Sequence, residues 1–228
     1  MMLSLKKNEL VQFVSRQLEA FFPDDLPVNW VDIDRRIDLA LDRVSVCFSA
    51  VHNRYFQVEG QARFNHLHTD QYAMFLYFLA NTLYKEQADT HLCEKVFYLN
   101  KLLNGIDAFY EVELPDIFVF SHPLGTVLGR ANYSNFFLVH QGCTIGGARA
   151  AESDKENIYP VLGEYCAMYM GAAVLGNCHV GNNCKISAYS LLIDQDLEAN
   201  RIYIGTRLNR VVKENRAPDN IWRRPAIR

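Results

Sequence analysis

Every sixth residue from Leu162 onward is apolar: Leu162, Met168, Val174, Val180, Ile186 and Leu192. The position four places after each of the first five is small: Cys166, Ala172, Cys178, Cys184 and Ser190. A neighbouring slot holds Gly163, Gly181 and Ser187, and is broken by Tyr169 and Leu175. A period of six fits neither the 3.6 of a helix nor the two of an open strand. It is the mark of a β-solenoid built from hexapeptides, in which three short strands make one coil of about eighteen residues. The large residue fills the interior, and the small one sits where the strand bends and space is short. Accidental spacing in an ordinary β-domain is a poor account of two slots kept in register.

Upstream, Val139 and Ile145 keep the period, so a first set of coils is expected from about Pro115 to Ile145. Val127 and Leu128 both qualify as the inward residue there, and the register is expected to slip by one near residues 133–136. Glu111 to Phe120 alternates, is rich in Val, Ile and Phe, and reads as a strand. Between Gly147 and Pro160 the period fails. The stretch GARAAESDKENIY has no apolar face and reads as an exposed loop leaving the coil.

The first hundred residues follow a helical period instead. One helix is expected over Asn8 to Phe22, where Val11, Val14, Leu18 and Phe21 recur and Pro23 stops the pattern. A second fits Asp32 to Ala50, with Ile33, Ile37, Leu41 and Val44 on one face. A third, capped by Thr69 or Asp70, runs to about Lys85 and is apolar enough to be buried. A fourth is expected to be capped by Thr90, with Gly105 at its C-terminal end. Arg54 to Asn65 is ambiguous.

Composition narrows the class only a little. The 228 residues are 50% hydrophobic and 21% charged, with a net charge of −3. That is ordinary for a globular protein and gives no electrostatic reason to expect nucleic acid. The opening MMLSLKKNELVQF carries charge too early for a secretory leader, and Tyr72 to Tyr84 is too short to span a bilayer. The expected compartment is the cytoplasm. None of the six cysteines forms a CxxC pair, and Cys166, Cys178 and Cys184 share the small slot, so they read as space-filling thiols. The last stretch, IYIGTRLNRVVKENRAPDNIWRRPAIR, holds six arginines and one lysine, and is expected to close the last coil and then extend, as a solvated tail in preference to a local basic patch for phosphates.

Two segments narrow the chemistry: SHPLGTVLG from Ser121 and QGCTIGG from Gln141, followed by YPVL from Tyr159 and MGAAVLGNCHVGNNCKISAYSLL from Met170. In that order they resemble the serine acetyltransferase branch of the left-handed β-helix, hexapeptide-repeat acyltransferases. That branch carries DHATGxVxG, QxVTxGG and RHPxI segments before its terminal repeats. The motifs cover about residues 112 to 212, and DQYAMFLYFLANTLY resembles the family's helical part more loosely. The resemblance implies an α+β fold. An N-terminal helical domain, 1–110, is followed by a left-handed parallel β-helix, 111–212, with a loop at 148–159 and a tail at 213–228.

The resemblance also implies an acetyl-CoA-dependent O-acetyltransferase acting on a small hydroxyl acceptor, with His122 in the place of the catalytic histidine. Taking a hydroxyl proton during attack on a thioester needs a base, and a neutral imidazole suits the task. A carboxylate on the other ring nitrogen would fix its tautomer, and Glu113 or Asp116 is expected to supply it. Ser121, Tyr159, Asp70 and His140 are the expected acceptor contacts. Ser121 replaces the family's Asp and Tyr159 its second His, so serine competes with a sugar, as in surface-polysaccharide modification. For acetyl-CoA, the resemblance implies Gly146 and Gly147 beside the pantetheine arm, Gly171, Ala172 and Ala188 along the terminal coils, and Lys185 at a phosphate. No metal is expected: His140 lies one coil after His122, but two imidazoles lack the third ligand that such a site needs. Grooves of this kind arise between packed solenoids, so a homotrimer or a dimer of trimers is expected. The reading of a different class is a non-catalytic trimeric scaffold.

Overall fold

Helices fill the first half of the chain and short parallel strands the second. The computed structural model describes residues 1–147 and 159–223, and the chain divides into two units, Met1–Glu111 and Val112–Arg228.

The first unit holds α1 (Lys7–Phe21), α2 (Trp30–Ser49), α3 (Thr69–Lys85) and α4 (Thr90–Asn104). α3 packs against both α2 and α4, and every residue from Asp70 to Leu83 is buried. That burial follows from apolar residues on all sides of the helix. Its polar members are satisfied: the Asn81 side-chain oxygen accepts from Arg43, and its amide donates to the Tyr110 carbonyl. Two caps lie one place upstream of the expected ones. His68 rather than Thr69 or Asp70 precedes α3, and Asp89 rather than Thr90 caps α4 through the His91 N–H. Gly105 ends α4 at φ +64°, as its glycine predicts. The ambiguous tract is a hairpin of Gln57–Val58 and Gln61–Phe64. It turns through Glu59 and Gly60, both at positive φ, which matches the twist of paired strands. No helix among the described residues is long and apolar enough to cross a membrane.

The second unit is a coil with three faces. One carries Asn132–Tyr133, Val161–Leu162 and His179–Val180. The next carries Phe118–Ser121, Phe137–His140, Ala167–Met168, Lys185–Ile186 and Arg201–Ile204, with Val211–Glu214 added antiparallel at its end. The third carries Val127–Leu128, Thr144–Gly146, Ala173–Leu175 and Leu191–Ile193. Neighbours on a face pair in parallel one coil apart: Val161 with His179, Ala167 with Lys185, Ala173 with Leu191. The six periodic apolar residues are at most 4% exposed. The small slot has a chemical reason as well as a steric one. The Cys178 thiol donates to the Leu175 carbonyl at 3.1 Å and the Cys184 thiol to Glu198 at 3.0 Å, satisfying backbone at the bends.

The first coil is less regular than expected. Leu128 is the inward residue, and Val127 is 40% exposed. Phe120 and Leu128, both buried, are eight positions apart, and Leu128 and Tyr133 only five. The slip of one therefore falls ahead of Tyr133, and two surplus residues lie at the corner after Ser121. Of the expected Glu111–Phe120 strand only residues 118–120 are strand, which continues to Ser121. The expected loop from 148 lies outside the described residues except for Tyr159. It interrupts the sequence but not the ladder, because Ile145 pairs directly with Val174.

The tail corrects another expectation: it folds back instead of extending into solvent. Asn215 is buried and donates to the carbonyl and side-chain oxygens of Asn183. Trp222 is buried with its ring edge-on to Phe136, which in turn stacks on Tyr165.

Candidate active site

The corner after Ser121 is built by its surplus residues. Ser121 ends a strand, and His122 turns the chain at φ +51°, a conformation uncommon for a residue with a Cβ. The Leu124 N–H donates to the His122 carbonyl at 2.7 Å and the Thr126 N–H to the Pro123 carbonyl at 3.0 Å. Gly125 completes the turn at φ +74°. Pro123 and Thr126 are buried, while His122 is exposed. Positive φ recurs at other bends of the coil, as at Tyr165, Asn183 and Tyr189, and here the buried Pro123 and Thr126 frame the turn that presents the imidazole outward.

His122 opens onto a hollow of about 310 Å³ lined also by His140, Gln141, Tyr169, Met170, Ser187 and Ala188. The register differs from the simple expectation. Ser121, not His122, pairs with His140, so the two imidazoles are offset neighbours that share the hollow. His140 stacks instead on the ring of Tyr169, with centroids 5.2 Å apart and planes 19° from parallel. Its backbone is fixed by Thr126, whose buried hydroxyl donates to the His140 carbonyl at 2.9 Å. The Tyr169 hydroxyl donates to Asp219 at 2.6 Å. Burial and that carboxylate push the Tyr169 phenol well up, so it keeps its proton. The described lining thus offers imidazole, amide and hydroxyl groups, and no carboxylate.

The remaining expected residues divide. Glu113 and Asp116 are exposed and precede the strand Phe118–Ser121, which leads into His122. Four strand residues span roughly 10 Å, which is against a direct hydrogen bond from Asp116 to the imidazole. Ser121 adjoins the hollow through its pairing with His140, whereas Tyr159 leads into the strand Val161–Leu162 on a different face and does not line it. Asp70 is buried in the first turn of α3, in the helical unit. Of the expected acetyl-CoA contacts, Ala188 lines the hollow. Ala172 is fully buried in the coil, so its side chain cannot meet a ligand there. A Cβ on Gly171 would meet the Tyr189 ring at 2.6 Å, so this glycine makes room for a tyrosine of its own chain. Gly146 has open space, its nearest neighbour being Leu175 at 4.0 Å, and Gly147 is exposed beside it. Lys185 begins a strand between Ala167 and Ile202, away from the described lining.

Sequence reasoning missed Tyr169 and Asp219. Tyr169 did leave a trace, since it breaks a slot otherwise filled by small residues. Asp219 left none, being fifty residues away in an apparently solvated tail.

No family model matches the chain. It is 32% identical over 97 residues to a serine acetyltransferase of Synechococcus elongatus, covering 42% of this chain and 38% of that one. It is 27% identical over 123 residues to a serine acetyltransferase of Bacillus subtilis, covering 54% and 55%. The matches thus span about two fifths to about half of these curated relatives. In three dimensions the likeness extends further. The crystal structure of Neisseria gonorrhoeae serine acetyltransferase superimposes with a TM-score of 0.69 over 95% of this chain and 83% of that one, at 16% identity. The chain has the serine acetyltransferase fold. A serine acetyltransferase solved in complex with CoA also shares it, with a TM-score of 0.63 over 91% of this chain and 84% of that one, at 17% identity. Within the serine acetyltransferase fold, the corner bearing His122 departs from this chain's own repeat by two residues.

Proposed function

We propose that this protein is an acetyl-CoA-dependent O-acetyltransferase in which His122 takes the proton from an acceptor hydroxyl as it attacks the thioester carbonyl. The observation that carries this reading is the corner itself: an outward imidazole on an internally bonded turn, beside a hollow lined by a second imidazole, an amide and hydroxyls. A neutral imidazole serves as base near neutral pH, and a fixed one needs no reorganisation during transfer. The donor assignment is supported by the likeness to serine acetyltransferases, one of them solved with CoA. The open face of Gly146 leaves room for a pantetheine arm. Asp116 stands a strand's length from His122, which leaves Glu113 as the carboxylate to test as its partner.

The same support extends to the finer architecture: a helical domain over 1–110 and a left-handed β-helix over 111–212. A homotrimer accords with Leu124, Met170 and Tyr189, which are 70%, 43% and 75% exposed. The cytoplasm is proposed as its compartment from the sequence alone. Serine is the first acceptor to test, on the strength of the relatives' names. A sugar hydroxyl is the second reading. It is favoured by Ser121 and Tyr159 at the Asp and His positions of the motifs, and by a described lining without a carboxylate for an ammonium group. A thiol-release assay over serine, homoserine and nucleotide sugars separates these. Release with serine establishes the first, and release with a sugar alone the second. No release with any acceptor removes the enzymatic reading and leaves a scaffold.

A further inference from the structure

The tail returns to the coil at three points, and the middle one reaches the candidate active site. Asn215 is 4% exposed and ties the tail to Asn183. Trp222 is 5% exposed and packs against Phe136. Between these anchors Asp219 accepts the Tyr169 hydroxyl through one carboxylate oxygen, while the other accepts the Ile221 N–H at 3.3 Å. Both ends of the tail segment are thus held, and a charge-assisted O–H···O bond of 2.6 Å fixes the Tyr169 ring. That ring is the surface on which His140 lies, nearly parallel.

The Thr126 hydroxyl fixes the His140 backbone carbonyl, and the Tyr169 ring bounds one face of the imidazole. A stacked aromatic partner favours a parallel plane, and holding that partner in place restrains the plane it favours. The phenol is held as a donor by burial and by Asp219, so the support does not change with pH near neutrality.

We infer that Asp219 and Tyr169 are positioning residues that aim His140 into the hollow, making the folded-back tail a working part of the acceptor side of the site. The acceptor role rests on the acetyltransferase reading, whereas the aiming of His140 does not. Removing the hydroxyl or the carboxylate leaves the Tyr169 ring, or its phenylalanine counterpart, free to turn. His140 then loses that restraint, and acceptor binding weakens while the donor is untouched.

The test uses the full chain with isotope-labelled histidine and the variants Tyr169→Phe, Asp219→Asn and Asp219→Glu. In the first two, the His140 ring resonances are expected to move, because the ring current of residue 169 changes, while those of the distant His179 stay. The acceptor KM is expected to rise about tenfold, with the acetyl-CoA KM within about twofold of the parent. Asp219→Glu is expected to recover part of both effects. Unmoved His140 resonances in folded Tyr169→Phe and Asp219→Asn proteins overturn the positioning claim, whatever the kinetics. Moved resonances with an unchanged acceptor KM overturn the acceptor role and leave the geometry. If the parent protein releases no thiol with any acceptor, it is the acetyltransferase reading that fails, and the resonances alone decide whether Asp219 aims His140. A variant that unfolds is replaced by Asp219→Ala, which keeps the Tyr169 ring but removes its bond to the tail and carries the same expectations.

Discussion

Two corners of the coil, one above the other, are built differently. After Met168 the chain bends through Met170 and Gly171 and returns inward at Val174, six positions on, with Ala172 fully buried between them. After Phe120 it takes eight positions to return inward at Leu128, and the surplus leaves His122 exposed and Leu124 70% exposed. In the regular corner the side chains are committed to packing. In the irregular one, two residues are released from packing and become available for chemistry. A repeat stabilises by sameness between neighbours, so its interruptions are where groups with another purpose can stand. Tyr169 makes the same point within the regular corner, as an aromatic ring in a slot for small residues whose hydroxyl bonds to the tail.

The contrast is broken most directly at His122. His122→Ala is expected to lower kcat by roughly 10²–10⁴ with CoA affinity unchanged, since the base acts in the transition state and not on the donor. Thiol-release kinetics beside calorimetric CoA titration would show this, and wild-type turnover would place the base elsewhere. Deleting Pro123 and Leu124 restores a six-residue step. The protein should still fold, with a melting temperature near the parent's, while turnover falls by about 10²–10³ because the imidazole is re-aimed. A deletion variant that retains activity would show that the irregular corner is incidental.

Changes at interior positions of the regular coils should act on stability alone. Leu162→Ala, on a face away from the hollow, empties a site only 1% exposed and is expected to cost about 2–4 kcal/mol in urea unfolding. Its kcat/KM below the transition should match the parent's. Cys166→Ala is expected to cost about 1 kcal/mol, from lost packing and the thiol's bond to the Gly181 carbonyl at 3.4 Å. Loss of activity in a folded Cys166→Ala protein would contradict a purely structural role.

The smallest effect is one of pH. Burial pushes the Cys166 thiol up to about 12 and the Cys93 thiol up to about 11. In the unfolded chain these thiols ionise near 9, whereas the folded protein keeps their protons. The stability tied to them is therefore complete below about pH 9 and declines as pH rises toward 11 and 12. Urea midpoints at pH 8 and pH 10 should differ in that direction, and Cys166→Ala should narrow the difference.

The sequence by itself determined the interior of the regular coils. A hexapeptide period is written into neighbouring residues, so Leu162 to Leu192 could be assigned before any contact was known. The four helices were also legible, to within two residues at each end, because their apolar faces repeat locally. Their caps were not, since His68 and Asp89 are selected by the turn geometry that precedes each helix. His122 was legible from its motif, but its offset from His140 depended on how the surplus at one corner and the deficit before Tyr133 were shared out. Only pairing between strands decides that. The tail was the least legible part. Its arginines suggest a solvated strand, yet burying Trp222 and satisfying Asn215 hold it down. Asp219 then meets Tyr169 across fifty residues of sequence. Local periods are fixed by covalent neighbours, whereas a contact of that separation exists only after the coil has formed the surface on which the tail lies.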